Sequence, residues 1–464
     1  MSYVFLPSIS SLLFESILTT HSEIITLQIG KQFWDQLCLE HSISPDGTST
    51  VPSTQWKTRN DETSTFFNSN GDNKYTPRAI LIDLEPAVIS DIRTSTDHLF
   101  DDRNIHVSGT GLGAGNIWTK GYDYADSEIE LFTDMIDREM DSCERLEAFQ
   151  LIHSVGGGTG SGVGSRLLEV MSDRYAKKLL TTYSVFPGET SDVVVQPYNI
   201  ILTLKRLIEN TDANVVIENS KLLSIALDVL QTKSPTITQT NQLISAVMST
   251  ATNTLRYPSY TYNSLTSIIS TLVPTPDLHF ITPSYTPYTS DFVSDTKHFK
   301  RPTALDVVVS LLDKKNKMIE VRDKSPEKYI SIFNIIQGSY EQTDINKAIL
   351  RAQQKAQFVS WTPSTIHVTN GKKSQHHITA NSNYISGLML SNTTSITGLL
   401  EKSCREFDRL FKKAAFKNNY PGNAIKDEDA EFNDAREIVQ GVINEYKAAE
   451  QLTYLDDDDE DMGL

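Results

Sequence analysis

Residues 149–162 read FQLIHSVGGGTGSG, an apolar run that passes directly into a glycine-rich turn. Apolar residues follow the turn at helical spacing, namely Val163, Leu167, Leu168 and Met171. Glycines let backbone N–H groups point at a ligand without hindrance from a Cβ atom, and the N-terminus of the next helix adds about half a positive charge. The hydroxyl groups of Thr159 and Ser161 can also donate to phosphate oxygens. The stretch therefore predicts a strand, a phosphate-binding turn and a helix; it lacks the Gly-Lys-[Ser/Thr] ending of a P-loop.

The rest of the first half alternates short apolar runs with amphipathic stretches, a pattern typical of a parallel sheet covered by helices. The runs contain little alternation, as in strands buried on both faces; they lie at residues 24–28, 79–84, 149–155, 179–186 and 215–217. Between them, two helical faces are formed by Phe33, Trp34, Leu37 and Cys38 and by Leu131, Met135, Ile136 and Met140. This half predicts a Rossmann-like α/β domain.

The second half predicts another α/β domain and then helices. A helix is expected over residues 239–256, a loop with short strands over 274–294, and strand-like runs at 304–312, 329–337, 366–369 and 386–390. Two amphipathic helices follow, marked by Leu399, Leu400 and Phe407 and by Phe432, Val439 and Ile443. Residues 456–461 form an acidic tail.

Composition excludes several classes of protein. Apolar residues make up 39% and charged residues 22% of the chain, which fits a globular protein rather than a disordered one. The net charge of −17 argues against a nucleic-acid binder. No apolar run reaches membrane-spanning length, and three widely spaced cysteines favour a reducing compartment over a disulfide framework.

A second glycine-rich stretch, residues 109–114, satisfies the loose dinucleotide pattern GxGxxG/A. A dehydrogenase would need an acidic ribose ligand about twenty residues further on, at the end of a second strand. Asp126 and Glu128 instead begin a helical stretch. We interpret residues 109–114 as a second loop at the same phosphate pocket and keep an NAD-binding oxidoreductase as a remote alternative.

The run 152–162, with SVFP at 184–187 and SDVVVQPYN at 191–199, resembles the tubulin family. The resemblance extends over residues 23–455. Further runs are similar to the gamma class of that family: TLKRL at 203–207, LRYP at 255–258, residues 272–280 and SGLM at 386–389. The resemblance implies a GTP-binding domain over 23–220, a central helix and intermediate domain over 221–391, and a C-terminal helical region over 392–455. Residues 1–22 are then an atypical N-terminal extension, and 456–464 a tail.

The resemblance also implies ligands and their residues. GTP or GDP phosphates would be held by Ser154, Gly156, Gly157, Gly158, Thr159, Gly160, Ser161 and Gly162. Asn116 would reach the terminal phosphate, while Asp83 and Glu85 would sit near Mg²⁺. Asp192 and Gln196 would line the ribose. Asn219 and Asn241 would read the guanine edge, and Ile237 would pack on the base.

The sequence departs from the family in two parts of this site. The family's opening strand ends in a loop of the form Gly-Gln-Cys-Gly-Asn-Gln, whereas here residues 24–28 run at once into Ile29-Gly30-Lys31. Gln28 aligns with either side of that gap. Each lost hydrogen bond to a charged group would remove roughly 1.5–3 kcal/mol. Ile237 replaces the aromatic ring that many tubulins stack on the base, a contact of about 1–3 kcal/mol.

A role in microtubule nucleation at organising centres follows from the resemblance. The subunit would cap minus ends through contact with alpha/beta-tubulin, would be held by gamma-tubulin complex scaffold proteins, and would contact other copies laterally through residues 284–295. No contact with nucleic acid or membrane is expected. The implied location is the cytoplasm, at the cytoskeleton and organising centre, or the spindle pole body in a fungus.

Hydrolysis of GTP is expected to be slow at most. In this family a neighbour's acidic residue activates the attacking water, but the matching position here is Ser267, a poor general base. An alpha- or beta-type tubulin that co-polymerises into the lattice is the second alternative, and Ser267 argues against it.

Overall fold

The computed structural model describes residues 16–22, 24–50, 61–71, 73–96, 99–109, 111, 113–188, 193–228, 236–258, 261–287, 303–321, 327–372, 385–420 and 428–455. The predicted acidic tail and most of the predicted lateral loop lie outside these residues.

Twelve strands occur in the described residues. They are β1 (Ser16–Ser22), β2 (Phe67–Ser69), β3 (Tyr75–Pro77), β4 (Ala79–Asp83), β5 (Ile105–Val107), β6 (Leu146–Ser154), β7 (Leu179–Phe186), β8 (Ala213–Glu218), β9 (Phe280–Thr286), β10 (Tyr329–Gln337), β11 (Ile366–Gly371) and β12 (Ser386–Thr393).

The same residues form fourteen α-helices. They are α1 (Ile24–His41), α2 (Pro86–Ser95), α3 (Trp118–Ser127), α4 (Ile129–Asp141), α5 (Thr159–Arg174), α6 (Gln196–Asn210), α7 (Asn219–Asp228), α8 (Ile237–Ala251), α9 (Asn253–Arg256), α10 (Leu265–Leu272), α11 (Ala304–Leu311), α12 (Gln342–Lys355), α13 (Thr397–Phe411) and α14 (Glu428–Ala448). None of these described helices is long and apolar enough to cross a bilayer.

Ten strands form one sheet in the order β11-β10-β12-β9-β8-β7-β6-β1-β4-β5, and β2 pairs with β3 separately. Strands β1 and β4 to β8 are mutually parallel, with helices between successive strands. Strand β12 is antiparallel to both β9 and β10. The predicted Rossmann-like sheet, second α/β part and C-terminal helices are confirmed.

Two apolar clusters cover the two faces of this sheet. One cluster combines α3 to α6 with the C-terminal helices α13 and α14, for example through Leu167, Leu204, Phe407 and Ile443. The other combines α1, α2, α7, α8 and α10. The C-terminal helices therefore lie on the same face as α5, the helix that follows the glycine-rich turn.

The prediction for the first strand is wrong. Residues 24–28 begin helix α1, and the strand lies upstream at Ser16–Ser22, between β4 and β6. A short apolar run fits a buried strand or a buried helix equally well. Here the only helix-breaking residue between the run and the amphipathic stretch at Phe33 and Trp34 is the single glycine Gly30, and one helix extends through both. Part of the predicted extension is thus a central strand.

The strand predicted at residues 304–312 is also wrong, because residues 304–311 form helix α11. Thr303 begins the helix with a capping box: its Oγ1 accepts from the Asp306 N–H at 3.2 Å, and the Asp306 carboxylate accepts from the Thr303 N–H at 3.1 Å. The capping pair outweighs the β-branched residues of the run.

Candidate functional site

The predicted phosphate turn joins the end of β6, at Ser154, to the start of α5, at Thr159. All residues from 154 to 162 are buried. Within the described part of the chain, the backbone N–H groups of residues 157–161 have no hydrogen-bond acceptor. Buried backbone donors nearly always have an acceptor, and a helix N-terminus favours an anionic one. The turn therefore has the donors that a phosphate group requires.

Glycine is required in the turn for packing as well. A Cβ atom on Gly158 would lie 2.7 Å from the backbone N of Ile117 and 2.8 Å from the Cβ of Ala114. The predicted second loop therefore lies directly against the phosphate turn. Asn116 is exposed beside that turn with a φ of 58°. Asp126 lies within α3 rather than at the end of a strand, where a dinucleotide site would need its acidic ribose ligand.

Asn199, which was not predicted as a site residue, holds these two loops together. Its side chain is fully buried at the start of α6. The amide group donates to the carbonyl oxygens of Asn116 and Gly156, both at 2.9 Å. Its Oδ1 accepts from the Trp118 N–H at 3.1 Å. The sequence places Asn199 in the family-like run 191–199, but only the contacts reveal this role.

His153 of β6 contacts the phosphate turn, and the sequence did not identify it as a site residue. Its Nδ1 lies 3.2 Å from the Gly160 carbonyl oxygen and its Nε2 lies 2.9 Å from the Ser184 hydroxyl. A carbonyl oxygen can only accept, so Nδ1 carries the proton and Nε2 accepts from Ser184. Burial lowers the pKa of the imidazole from 6.5 to about 4, so it is neutral at physiological pH.

One predicted donor is directed elsewhere. The Ser161 hydroxyl, expected to donate to phosphate, donates instead to the Gly157 carbonyl oxygen inside the turn. Ser161 therefore offers a phosphate group its backbone N–H rather than its hydroxyl. Ser154 lies 8% exposed at the base of the turn, and its Oγ accepts a weak hydrogen bond from the Gly156 N–H at 3.4 Å.

Asp83 lies at the carboxyl end of β4 and is 1% exposed. Its Oδ1 accepts from the N–H groups of Leu84 at 2.7 Å and Glu85 at 3.3 Å, while its Oδ2 is buried without a hydrogen-bond partner among the described residues. Burial raises the pKa of the carboxyl to about 6. Glu85 is exposed next to it, with its side chain against Gly113.

This pair of carboxylates fits Mg²⁺, which is usually held by one or two carboxylates, several waters and substrate phosphates. The described residues contain no group of three or more acidic, His or Cys side chains that could form a complete protein cage.

The residues predicted to bind the nucleoside begin at the same sheet edge. Asn219 follows the end of β8, as Ser154 ends β6 and Asp83 ends β4, and all three strands are parallel. Carboxyl ends of parallel strands are where such folds bind ligands. Gln196 begins α6 and is partly buried. Asp192 lies outside the described residues.

The far side of the predicted base site is formed by α8. Asn241 is buried there, and its Nδ2 lies 3.4 Å from the Oε1 of Gln28. Gln28 therefore belongs to α1 and faces α8. Ile237 is 64% exposed at the first position of α8.

Two family models match the chain. The model described as the GTPase domain of the Tubulin/FtsZ family matches residues 27–227, and the model described as the tubulin C-terminal domain matches residues 276–405. The first match contains the phosphate turn and the ends of β4, β6 and β8.

Three curated relatives are similar over nearly the whole length. The tubulin gamma chain of Eremothecium gossypii is 51% identical over 431 residues, which cover 93% of this chain and 92% of the relative. The tubulin gamma chain of Saccharomyces cerevisiae is 45% identical, covering 95% and 96%. That of Candida glabrata is also 45% identical, covering 94% and 96%.

Proposed function

We propose, from the premise that this chain belongs to the tubulin family and within it to the gamma class, that it binds GTP or GDP and nucleates microtubules. The observation that carries the nucleotide part is the buried turn at residues 156–162, with its unpaired backbone donors at a helix N-terminus.

The proposed nucleotide lies along the carboxyl edge of the sheet. Its phosphates lie on Ser154, Gly156, Gly157, Gly158, Thr159, Gly160, Ser161 and Gly162, with Asn116 at the terminal phosphate. Asp192 and Gln196 line the ribose, Asn219 and Asn241 bind the guanine edge, and Ile237 covers the base. Asp83 and Glu85 orient the waters of Mg²⁺, which neutralises phosphate charge when bound.

The proposed partners are alpha/beta-tubulin, contacted lengthwise at the minus end, gamma-tubulin complex scaffold proteins and lateral copies of the same subunit. The proposed location is the microtubule-organising centre, and the spindle pole body if the source is a fungus. The gamma-chain relatives support this assignment.

We favour a nucleating subunit over an alpha- or beta-type lattice subunit because of Ser267. This serine lies in α10, and its hydroxyl donates to the Ser264 carbonyl oxygen at 2.7 Å. A serine side chain has no carboxylate with which to activate water on a neighbour's nucleotide. Any hydrolysis of the chain's own GTP depends on a group from another subunit.

The test combines nucleotide identification with a nucleation assay. Protein purified in its complex should release about one guanine nucleotide per chain on denaturation, and should shorten the lag of alpha/beta-tubulin assembly. Asn241→Ala should weaken GTP binding at least tenfold, whereas Asn444→Ala, an exposed position on α14, should not. Release of NAD, or incorporation of the labelled chain along the microtubule lattice, would contradict the proposal.

A further inference from the structure

Residues 412–420, which follow α13 and are called the α13–α14 connection below, reach the phosphate turn through Tyr420. Tyr420 is fully buried, and its hydroxyl donates to Asn199 Oδ1 at 2.7 Å. Asn199 in turn donates to the carbonyl oxygen of Gly156 at 2.9 Å. A chain of two hydrogen bonds therefore links the C-terminal region to the turn that is proposed to hold the phosphates.

The orientation of the Asn199 amide is set by the Trp118 N–H and by the surrounding carbonyl oxygens, and in that orientation its Oδ1 faces the Tyr420 hydroxyl. Its Oδ1 accepts from two donors, the Trp118 N–H and the Tyr420 hydroxyl, while its Nδ2 donates to carbonyl oxygens. A flipped amide would place its N–H₂ group against the Trp118 N–H and its oxygen against carbonyl oxygens. Every polar group of Asn199 is satisfied in one orientation only, so the network fixes the relative position of both phosphate loops.

The outer part of the same connection is mostly exposed, and it is held by Tyr198 and by an ion pair between Lys417 and Asp429. Tyr198 donates to the Ala415 carbonyl oxygen at 2.7 Å and packs on the ring of Tyr420. Ala414 and Phe416 adopt positive φ angles of 46° and 60°, which are unfavourable for residues other than glycine. Phe416 is 47% exposed. An outside contact with this strained turn would move Ala415 and Tyr420, and through them α6 and Asn199.

We infer that Tyr420 is a positioning residue for the nucleotide, and that the α13–α14 connection and the phosphate turn are energetically coupled through Asn199. This inference rests on the proposed GTP binding. Coupling between two sites is reciprocal, so nucleotide bound at the turn must also stabilise the connection. The factor by which GTP changes a partner's affinity for the connection is also the factor by which that partner changes the affinity for GTP.

The first test measures GTP affinity in Tyr420→Phe, which removes only the hydroxyl. Loss of one buried neutral hydrogen bond lowers the fraction of chains with a competent turn, and the Kd for GTP should rise roughly three- to tenfold. Tyr454→Phe is the matched control, because Tyr454 also lies in the C-terminal region and its hydroxyl donates to Glu445 at 2.6 Å, away from the turn. Its Kd should equal that of the unmodified protein.

The second test uses the unmodified protein and so does not depend on the folding of a variant. Addition of GTP should slow hydrogen exchange at residues 412–420 as well as at residues 156–162. If the unmodified protein binds no GTP, the proposed function fails. If it binds GTP but exchange at 412–420 is unchanged, or Tyr420→Phe keeps the original Kd, the coupling is refuted while GTP binding stands.

Discussion

The environment of Asp83 suits a carboxylate that binds a cation better than a charged carboxylate without one. One oxygen of Asp83 is buried without a hydrogen-bond partner among the described residues, and burial raises the pKa of the carboxyl to about 6. The charged form is therefore the costly one in the free chain. Stability from this group is present at low pH and is lost as the pH rises through about 6, unless Mg²⁺ with nucleotide compensates for the buried charge.

We expect Asp83→Asn to raise the thermal midpoint of the nucleotide-free protein at pH 7.5 and to remove the Mg²⁺-dependent part of GTP binding. The asparagine oxygen still accepts from Leu84 and Glu85, so the local turn is kept. Thermal unfolding from pH 5 to 8 and GTP titrations with Mg²⁺ or EDTA provide the measurement. Asp91→Asn, at an exposed position of α2, is the control. An unchanged Mg²⁺ dependence in Asp83→Asn would contradict the assignment.

His153 should make the phosphate turn sensitive to acid. Because burial lowers the pKa of this base from 6.5 to about 4, its contribution to stability is complete above 6.5 and declines as the pH falls toward 4. The loss at pH 4 amounts to about 3 kcal/mol. Glutamine does not titrate and its amide can still donate to the Gly160 oxygen. The unfolding free energy of His153→Gln relative to that of the unmodified protein should therefore increase as the pH falls from 6.5 to 4. A difference that stays constant over this range would refute the prediction.

Single residues divide into those that a sequence pattern can identify and those that only contacts reveal. The glycines at 156–162 are identifiable because their spacing itself produces the unpaired donors. Asn199, His153 and Tyr420 are not, because their role lies in hydrogen bonds to residues far along the chain. The Ser161 hydroxyl donates to the Gly157 carbonyl oxygen, a contact that its place in the sequence did not indicate.

Helices and strands were predictable where the pattern of apolar residues allowed only one interpretation. Strands β7 and β10 lie where their apolar runs predicted them, and α13 and α14 carry the expected buried faces. Two runs predicted as strands are helical instead, residues 24–28 and 304–311, because continuity with the next helix and a capping box decided against strands. Leu131 was placed on the buried face of α4 but is 42% exposed, while its neighbour Phe132 is buried.

The close contact between α3 and α5 yields a prediction about Gly162. A Cβ atom there would meet the carbonyl oxygen of Trp118 and lie 2.7 Å from the Tyr122 N and 2.8 Å from the Gly121 Cα, all backbone atoms. Backbone cannot rotate away, so Gly162→Ala should push α3 from α5. We expect a loss of about 1–3 kcal/mol in unfolding free energy, together with weaker GTP binding.

The matched control for this variant is Gly441→Ala in α14. No atom of the described residues lies within 4 Å of a Cβ atom at Gly441, so the substitution at this exposed position of α14 should stabilise the helix by about 0.5–1 kcal/mol. Urea unfolding of both variants measures the difference. Equal effects of the two substitutions would show that the α3–α5 contact can relax and does not restrict the turn.

The whole chain is organised around one continuous sheet. Strand β9 pairs parallel to β8 through the register Asn214↔Phe280 and Val215↔Ile281, and the direction changes only at β12, which is antiparallel to β9. The predicted domain boundary at residue 220 falls between β8 and β9 and remains a prediction. Sequence could not show this continuity, because strand order across a crossover of some sixty residues leaves no local pattern.

The C-terminal helices are joined to the nucleotide-binding part by Arg206 of α6, which leads to the last prediction. Its guanidinium donates to Glu431 of α14 at 2.6 Å and to Glu169 of α5 at 3.0 Å. Its side chain is 9% exposed. Arg206→Ala removes both charge-assisted hydrogen bonds, although Lys205 still contacts Glu431 and Arg166 still contacts Glu169. The substitution should cost about 1.5–3 kcal/mol of unfolding free energy.

Lys205 provides the comparison, because it lies next to Arg206 and also contacts Glu431, but it pairs with the exposed carboxylate of Asp434 as well. Water screens such a pair, and Lys205→Ala should cost no more than about 1 kcal/mol. Chemical unfolding followed by far-UV circular dichroism measures both, and proteolysis should release α14 only from Arg206→Ala. If the two variants were equally stable, α14 would be held by apolar packing alone, and Arg206 would be an ordinary surface charge despite its position between three helices.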